Sequence, residues 1–507
     1  MSGIKKLAGQ TVLYGLSSIV GRMLNYLLVP IYTRIFSPTE YGVVSELYSY
    51  SAFLLILFTY GMETAFFNFM QKEENKNKVY ENCISLVSYT TAFLVLLMIL
   101  FSSPLAATIE YPGKGNYIIW LAMIIGFDAI TAIPFARLRQ QGKALQFALL
   151  KIAGIVINIG LNLFFLIGCP IWIKGNDGLL SQLAVTFYSP TVGVGYVFIS
   201  NVIASGFTML LLYRQFSNLT WHLDTTLIKR MIYYAFPLLI AGFAGMVNET
   251  FDRAVYKYLA PDANHALRDL GIYSACYKLS IIMTLFVQTF RYAAEPFFFA
   301  QHDKEDKKET YSKIMTWFVI TCSFIFLGVM LFIDVIKLFI GEQFRSGIDV
   351  VPVLLLANLC LGVFYNLSMW YKLTEKTRFG AYFSIFGAVL TIILLFVLIP
   401  SFGYMGAAWA TFITYFAMMV VSFVTGQKHY PIPYKVKNDV FYVLLSLMLF
   451  SLSVYLQQQL DLPNSVKWIV NIILLFIFPF VVFRMNRAVF VKKQNVESRK
   501  NTIGRRD

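Results

Sequence analysis

Long apolar segments alternate with short polar connectors along almost the whole chain. Because an α-helix rises 1.5 Å per residue, about twenty apolar residues cross the ~30 Å hydrocarbon core of a bilayer. On this criterion the sequence predicts fourteen membrane-spanning helices. Their approximate limits are 8–33, 41–69, 81–108, 116–136, 144–169, 193–213, 231–256, 271–300, 314–335, 349–371, 379–399, 405–426, 438–459 and 468–483. The longest connector has about twenty residues, so no soluble domain is inserted between the predicted spans.

The composition supports this interpretation. Hydrophobic residues occupy 58% of the 507 positions and charged residues 14%, whereas a soluble domain carries roughly a quarter charged residues. The chain therefore lacks the polar surface that a soluble protein of its length needs. Its five cysteines form no CxxC pair and have no histidine nearby in sequence, which favours buried thiols over metal ligands or disulfides.

The distribution of Lys and Arg predicts the orientation in the membrane, since cytoplasmic loops retain these residues. With the N-terminus inside, 29 of the 42 Lys and Arg residues lie in cytoplasmic segments and 8 in external connectors. We therefore predict that both termini are cytoplasmic. The net charge of +15 is then explained by basic cytoplasmic segments beside anionic lipid headgroups, and it does not indicate nucleic-acid binding.

A weak internal repeat relates the two halves of the chain. Residues 25–38 (NYLLVPIYTRIFSP) align without gaps with residues 248–261 (NETFDRAVYKYLAP), so that Arg34 matches Lys257. Shortly afterwards, a Gly-x-x-Ser-x-x-Tyr pattern at Gly42 recurs at Gly271. The repeat comprises six spans in the same orientation, which is a transporter architecture with the substrate path between the halves. We predict an N-terminal lobe (1–215), a C-terminal lobe (216–430), two further spans (431–490) and a basic cytoplasmic tail (491–507).

Several segments resemble the Wzx-type polysaccharide flippases. Their superfamily, the multidrug/oligosaccharidyl-lipid/polysaccharide exporters, also contains the multidrug and toxin extruders and the lipid II flippase. The segments are PIYTRIFSPTEYGVVSELYSY at 30–50, FDRAVYKYLAP and GIYSACYKL within 251–279, AAEPFFF at 293–299, EKTRFGAY at 375–382 and IPSFGYMGAAWAT at 399–411. Their order matches the family from the first predicted span through the twelfth.

The resemblance implies an all-α membrane protein with two six-helix lobes around a central cavity that opens alternately to each leaflet. It implies that an undecaprenyl-diphosphate-linked oligosaccharide is moved from the cytoplasmic to the periplasmic leaflet of the bacterial inner membrane. Such transport serves the synthesis of polysaccharides such as O-antigen, with a polymerase and a chain-length regulator as candidate partners. No cofactor is expected, apart from coupling to H⁺ or Na⁺.

Five cations lie inside the predicted spans: Arg22, Lys151, Arg253, Lys278 and Arg291. A charge at the helix centre costs ~2.5–3.5 kcal/mol on the insertion scale, so these residues are expected to face a cavity. We hypothesise that Arg22, Lys278 and Arg291 contact the diphosphate or an acidic sugar. Two of the five have alternatives, because Lys151 could snorkel to the headgroups and Arg253 could pair with Glu249.

One span holds two of these cations in a relation that a straight helix does not satisfy. Lys278 and Arg291 are thirteen residues apart, which turns a regular helix by about 220°. Either the span bends or only one of the two residues lines the transport path.

Acidic and amide residues in the spans complete the candidate site. Asp128 or Glu63, and Glu46 with them, are candidates for ion coupling; a helix–helix hydrogen bond is the alternative explanation for such a carboxylate. Asn25, Asn158 and Asn248 are the candidate polar residues of the lumen. A diphosphate carries about two negative charges and pairs well with the planar guanidinium of arginine, which favours a cationic cavity.

Three other functions compete with polysaccharide translocation. A lipid II flippase shares the lipid diphosphate, and only the family resemblance distinguishes it. A multidrug extruder commonly carries cations, which the five basic residues disfavour. A membrane-embedded sugar polymerase or ligase needs a large external loop, and the sequence has none. The sequence contains no Walker A or HExxH motif, which argues against a primary ATP-driven pump within this chain, and we expect a transporter that is not an enzyme.

Overall fold

The computed structural model describes residues 20–21, 23–175, 178–217, 219–221, 223–300, 306–459 and 463–503. All regular elements in these ranges are helical, as the sequence predicts for an all-α membrane protein. The N-terminal lobe contains α1 (Val29–Ile35), α2 (Pro38–Thr59), α3 (Met62–Lys72), α4 (Lys76–Leu100), α5 (Ser102–Thr108), α6 (Gly115–Gln140), α7 (Ala144–Leu163), α8 (Cys169–Lys174), α9 (Leu179–Phe187), α10 (Gly195–Leu211) and α11 (Tyr213–Phe216).

The C-terminal lobe and two further helices follow. The lobe contains α12 (Thr225–Leu259), α13 (Ala266–Leu279), α14 (Ile281–Ala300), α15 (Lys307–Leu331), α16 (Ile333–Ile336), α17 (Val350–Leu367), α18 (Met369–Leu373) and α19 (Arg378–His429). The last two helices are α20 (Val436–Gln459) and α21 (Asn464–Ile503), which pack against α15. All five cysteines are buried free thiols.

The helices agree with the predicted spans to different degrees. Ten helices in the described ranges are long and apolar enough to cross a membrane, and the bent pair α13–α14 forms an eleventh. Helix α19 has 52 residues and folds back on itself at Gly403, so it covers two predicted spans. Helix α10 has 17 residues and is shorter than the span predicted there. Half of the first predicted span lies outside the described residues, and the total of fourteen stays a prediction.

Local sequence explains where several of these helices begin and turn. Ser37 and Glu40 form a reciprocal capping box at the start of α2, where Pro38 takes the first helical position. At the reversal of α19, Gly403 has a φ of 55°, a conformation that glycine adopts without steric cost. This reversal lies within the motif IPSFGYMGAAWAT and explains why its residue 403 is glycine.

Several predicted spans are interrupted helices, among them 41–69 and 271–300. The span 41–69 becomes α2 and α3, which are joined at Tyr60 and Gly61, both with positive φ. The span 271–300 becomes α13 and α14, which meet at 49° around Ser280. The second break resolves the geometry of Lys278 and Arg291, because the two residues lie on different helices.

The lobes touch where α2 crosses α13. A Cβ atom on Gly42 would lie 1.9 Å from the carbonyl oxygen of Leu267, and a Cβ on Gly271 would lie 1.9 Å from that of Pro38. The two glycines that the repeat aligns therefore face each other across the interface between the lobes. Only residues without a side chain permit this close approach of the two backbones.

The other aligned pair of the repeat, Arg34 and Lys257, joins the lobes through loops. Arg34 Nη2 donates a hydrogen bond to the carbonyl oxygen of Leu338 at 2.7 Å, and Lys257 Nζ donates one to that of Ile109 at 2.7 Å. Each cation thus reaches a loop of the opposite lobe. These connectors, which the sequence predicts to lie on one side of the membrane, meet at one end of the bundle, which we call the closed end.

Candidate functional site

A polar cavity below the closed end extends from the interface between the lobes into the N-terminal lobe. It consists of two adjoining chambers of about 510 Å³ and about 410 Å³, and four residues line both of them: Asn25, Asp128, Asn158 and Asn201. The larger chamber reaches Tyr41 and Lys278 near the closed end, and the smaller one reaches Phe147 and Lys151. We call the two chambers together the central cavity.

Arg253 of α12 lines the larger chamber. Its guanidinium carbon lies 4.1 Å from the centre of the Tyr277 ring, a cation–π distance. Within the described residues, its Nη2 atom is buried and has no hydrogen-bond partner. The ion pair with Glu249 that the sequence left open does not form, and the neighbouring carboxylate of Asp252 instead accepts a hydrogen bond from Tyr273 at 2.6 Å. Arg253 therefore retains a donor for an anion in the cavity.

The cavity receives two further cations, one from each lobe. Lys278 ends α13 beside the break at Ser280 and lines the larger chamber. Lys151 of α7 lines the smaller chamber, and its ammonium nitrogen lies 4.2 Å from the centre of the Phe135 ring. Of the two alternatives for Lys151, the structure shows the cavity position.

Asp128 is the carboxylate at the junction of the two chambers. Its Oδ1 atom accepts a hydrogen bond from the hydroxyl of Ser205 on α10, at 2.9 Å. The helix–helix hydrogen bond that was the alternative to ion coupling is therefore present. The same carboxylate still faces the cavity, so both roles are compatible with its position.

Amides and tyrosines line the cavity between these charges. The Tyr32 hydroxyl donates to Asn162 Oδ1 at 2.8 Å, and Asn162 Nδ2 donates to the side-chain oxygen of Asn158 at 3.1 Å. Across the cavity, Asn201 Nδ2 donates to the Tyr48 hydroxyl at 3.1 Å. Such groups exchange hydrogen bonds with sugar hydroxyls, and tyrosine rings offer apolar faces to sugar rings.

Sequence reasoning missed Asn201 and Ser205. They stand four residues apart on α10, which places both on one face of the helix. This spacing of two polar residues in the predicted span 193–213 could have indicated a face of the helix that lines the cavity.

Two of the candidate residues, Arg291 and Asn248, lie outside the central cavity. Arg291 lies in the C-terminal lobe, where its guanidinium carbon is 4.8 Å from the centre of the Tyr365 ring, and it lines a separate small pocket. Lys278 and Arg291 lie on the two sides of the bend at Ser280 and line different pockets, and a contact of Arg291 with the diphosphate stays a prediction. Asn248 is packed within the lobe, donating to the Ser384 carbonyl oxygen at 3.0 Å and accepting from Thr391 at 3.1 Å. Arg22 lies outside the described residues.

Two of the three candidate carboxylates for ion coupling are paired instead. Glu63 forms an ion pair with Arg139 inside the N-terminal lobe, so it is not a lone membrane carboxylate. Glu46 is fully buried at the closed end, where it accepts hydrogen bonds from Tyr50, at 2.7 Å, and from Tyr111. Lys257 of the opposite lobe lies 3.7 Å from the same carboxylate. Only Asp128 of the three faces the central cavity as the structure describes it.

The charge balance of the cavity selects for anions. Its described lining holds three cations, Lys151, Arg253 and Lys278, and one carboxylate, Asp128. Such an excess of positive charge attracts a phosphate group, and charged donors bind phosphate oxygens more strongly than neutral ones. The amides and tyrosines add neutral hydrogen-bonding partners around these charges.

The two helical lobes and the cationic cavity define a polytopic transporter or flippase. The chain belongs to the family described as "Polysaccharide biosynthesis protein", whose profile matches residues 7–302. None of the curated proteins compared with the chain matches it.

Solved structures of transporters share this fold. The lipid II flippase MurJ in an inward closed conformation aligns with a TM-score of 0.69 at 15% identity, over 93% of this chain and 99% of the MurJ chain. An inward-facing multidrug resistance transporter of the MATE family aligns with a TM-score of 0.59 at 12% identity, over 82% of this chain and 94% of its own. A transporter of the same superfamily from Pyrococcus furiosus, reported to have a binding pocket of reverse polarity, aligns with a TM-score of 0.57 at 12% identity. The alignment covers 84% of this chain and 94% of the other. At these identities the likeness concerns the fold.

Proposed function

We propose that the protein translocates an undecaprenyl-diphosphate-linked oligosaccharide across the bacterial cytoplasmic membrane for polysaccharide synthesis. The observation that carries this proposal is the pair of cations Arg253 and Lys278 at the deep end of the central cavity, with Arg253 Nη2 unpartnered in the described structure. A guanidinium and an ammonium group match the two charges of a lipid diphosphate. Membership of the polysaccharide biosynthesis family supports the sugar-bearing substrate.

The cavity suggests how the parts of the substrate divide. The diphosphate binds at Arg253 and Lys278, and the sugars contact the amides and tyrosines around Asn158 and Asn201. The polyprenyl chain stays in the bilayer, where it is soluble. In the orientation that the basic connectors predict, the end opposite the closed end faces the cytoplasm, which supports uptake of the substrate from the cytoplasmic leaflet.

Transport then requires that the lobes separate at the closed end and approach each other at the opposite end. Binding drives this change only if the substrate interacts more strongly with the rearranged state. The substrate bridges the lobes, because Arg253 and Lys278 belong to one lobe and Asn158 and Asn201 to the other. Contact with both lobes is the physical basis for coupling binding to their movement.

Direct binding tests the proposal. Purified protein in detergent is titrated with an undecaprenyl-diphosphate disaccharide, and the affinity is compared between the wild type and Arg253→Gln/Lys278→Gln. Loss of two charge-assisted contacts is expected to weaken binding by more than about tenfold. Lys437→Gln, which removes an exposed charge far from the cavity, is the matched control. Equal affinity of the double variant and the wild type would refute the diphosphate site.

A lipid II flippase is the second candidate, because MurJ shares the fold over nearly its whole length. Both substrates carry a polyprenyl diphosphate and differ in the attached group. Competition between lipid II and an undecaprenyl-diphosphate oligosaccharide for the same cavity distinguishes them. Preference for lipid II would favour the second candidate.

A further inference from the structure

A small pocket in the C-terminal lobe, separate from the central cavity, combines basic groups with an unsatisfied buried amide. It lies between α14, α17 and α18, has a volume of about 20 Å³, and is lined by Arg291, Glu295, Asn366 and Lys372, with Phe290 and Phe298 on its apolar side. Its acidic residue belongs to the segment AAEPFFF, which the central cavity leaves unexplained.

The charges of this pocket leave one cation in excess. Lys372 Nζ lies 2.7 Å from Glu295 Oε1, so these two residues neutralise each other. Among the ion pairs of the described residues, none involves Arg291, whose guanidinium stacks on Tyr365. Arg291 is exposed and belongs to a predicted span, where an arginine without a carboxylate partner is costly and is generally associated with function.

Asn366 supplies the second observation. Its side chain is 7% exposed, yet its Nδ2 atom has no hydrogen-bond partner in the described structure. A buried donor left unsatisfied costs about 1–3 kcal/mol, so native sites usually supply an acceptor. A cavity of about 20 Å³ accommodates one atom of the size of a water oxygen. The pocket therefore has room for one oxygen atom as the acceptor of this buried donor.

We propose that this pocket is a second anion site, in which one oxygen of a lipid phosphate accepts from Asn366 Nδ2 while Arg291 binds the remaining oxygens. Lys372 precedes the basic connector that holds Lys376 and Arg378, so the pocket lies near the depth of lipid phosphate groups. Tyr292 and Phe297 of α14, which follow Arg291 along the same helix, are exposed and could contact a lipid chain. The lipid is either a polyprenyl phosphate or a phospholipid, which present the same phosphate chemistry.

Native mass spectrometry of the full-length protein tests this site in a background that lacks the central cations. In Arg253→Gln/Lys278→Gln, one molecule of undecaprenyl phosphate is expected to remain bound. Adding Arg291→Gln or Asn366→Leu is expected to lower its occupancy about tenfold, because each removes a contact to the phosphate. Lys376→Gln, which removes an exposed charge from the neighbouring connector, is expected to leave the occupancy unchanged. Asn366→Leu preserves side-chain size, and its thermal unfolding temperature reports whether folding is intact.

Three separate probes identify the source of the phosphate. Retention of undecaprenyl phosphate alone assigns the site to a polyprenyl lipid, and equal retention of phosphatidylglycerol assigns it to lipid headgroups in general. Retention of inorganic phosphate with the same dependence on Arg291 shows that the site recognises the phosphate group itself. The proposal is overturned if the background variant binds none of the probes, or if Arg291→Gln and Asn366→Leu change no occupancy. If the wild type and Arg253→Gln/Lys278→Gln bind the same number of undecaprenyl phosphate molecules, the result would instead count against the proposed function.

Discussion

Gly42 and Gly271 face each other at the crossing of α2 and α13, and a Cβ on either would lie 1.9 Å from a backbone carbonyl oxygen of the opposite helix. These glycines occupy equivalent positions of the sequence repeat. The interface between the lobes at the closed end is therefore built from the same element of each half. The same relation holds for Arg34 and Lys257, which each donate to a loop of the other lobe.

Adding a methyl group at this crossing is expected to separate the lobes. Gly42→Ala and Gly271→Ala each place Cβ against backbone that cannot rotate away, so we expect a loss of about 1–3 kcal/mol of unfolding free energy, or greater exposure of the cavity from the closed end. Gly245→Ala and Gly328→Ala are the matched controls, since a Cβ at either helical position has no atom within 4 Å. Thermal unfolding in detergent measures the difference. Equal stability of all four variants would contradict this account of the crossing.

The buried pair Glu46–Lys257 is expected to hold the closed end shut. Lys257 has an 8% exposed side chain and contacts three groups of the N-terminal lobe: Glu46, Glu110 and the carbonyl oxygen of Ile109. Breaking a buried pair by removing one partner costs about 3–5 kcal/mol. Lys257→Gln should therefore favour the state in which water reaches Glu46.

Spin labels report this change. With labels on the exposed residues Lys114 and Glu342, one in each lobe, Lys257→Gln is expected to shift the distance distribution to longer values. Arg268→Gln, an exposed charge at the same end, provides the control. An unaltered distribution in Lys257→Gln would show that the pair does not secure the closed end.

Asp128 is the carboxylate for which ion coupling stays a hypothesis. If it carries a proton or sodium ion, Asp128→Asn removes the dependence of transport on the corresponding gradient. Ser205→Ala keeps the carboxylate and removes its helix–helix hydrogen bond, which separates the two roles. Initial rates are compared in proteoliposomes with imposed pH or sodium gradients. Gradient dependence that persists in Asp128→Asn excludes this residue as the coupling site.

The N-terminus of α12 makes stability sensitive to acid. Asp224 accepts hydrogen bonds from Lys78 and from the backbone N–H groups of Leu227 and Thr226, and these lower its pKa to about 2. An aspartate in an unfolded chain titrates near 3.9, so this stabilisation is present above about pH 4 and is lost as the pH falls towards 2. We expect Asp224→Asn to lower the thermal unfolding temperature at pH 7 and to flatten its decline between pH 4 and pH 2. If the unfolding temperature of Asp224→Asn falls between pH 4 and pH 2 as steeply as that of the wild type, Asp224 is not the source of the acid sensitivity.

Periodicity and charge predict much of the fold from the sequence, because helix length and loop charge are local properties. The reversal at Gly403 follows from a motif, and the connectors at the closed end follow from their order along the chain. The break at Ser280 has no comparable signal: neither proline nor glycine stands there. The thirteen-residue spacing of Lys278 and Arg291 left a bend open, but the position of the break could not be predicted.

The sequence could predict a cavity residue where its only means of avoiding lipid is to face the cavity. Lys151, Arg253, Asn25 and Asn158 face the central cavity because an unsatisfied polar residue in a span needs such a surface. Glu63 and Asn248 satisfy the same need by pairing with partners 76 and 143 residues away in sequence. Sequence spacing contains no information on pairs at such separations.

Translocation itself tests the central claim most directly. A fluorescent undecaprenyl-diphosphate oligosaccharide is placed in proteoliposomes, and its transfer between leaflets is followed by access to an impermeant quencher. The wild type is expected to transfer the lipid, and Arg253→Gln/Lys278→Gln to transfer it at least about tenfold more slowly, at equal incorporation and with Lys437→Gln at the wild-type rate. Full transfer by the double variant would contradict a transport path through the central cavity.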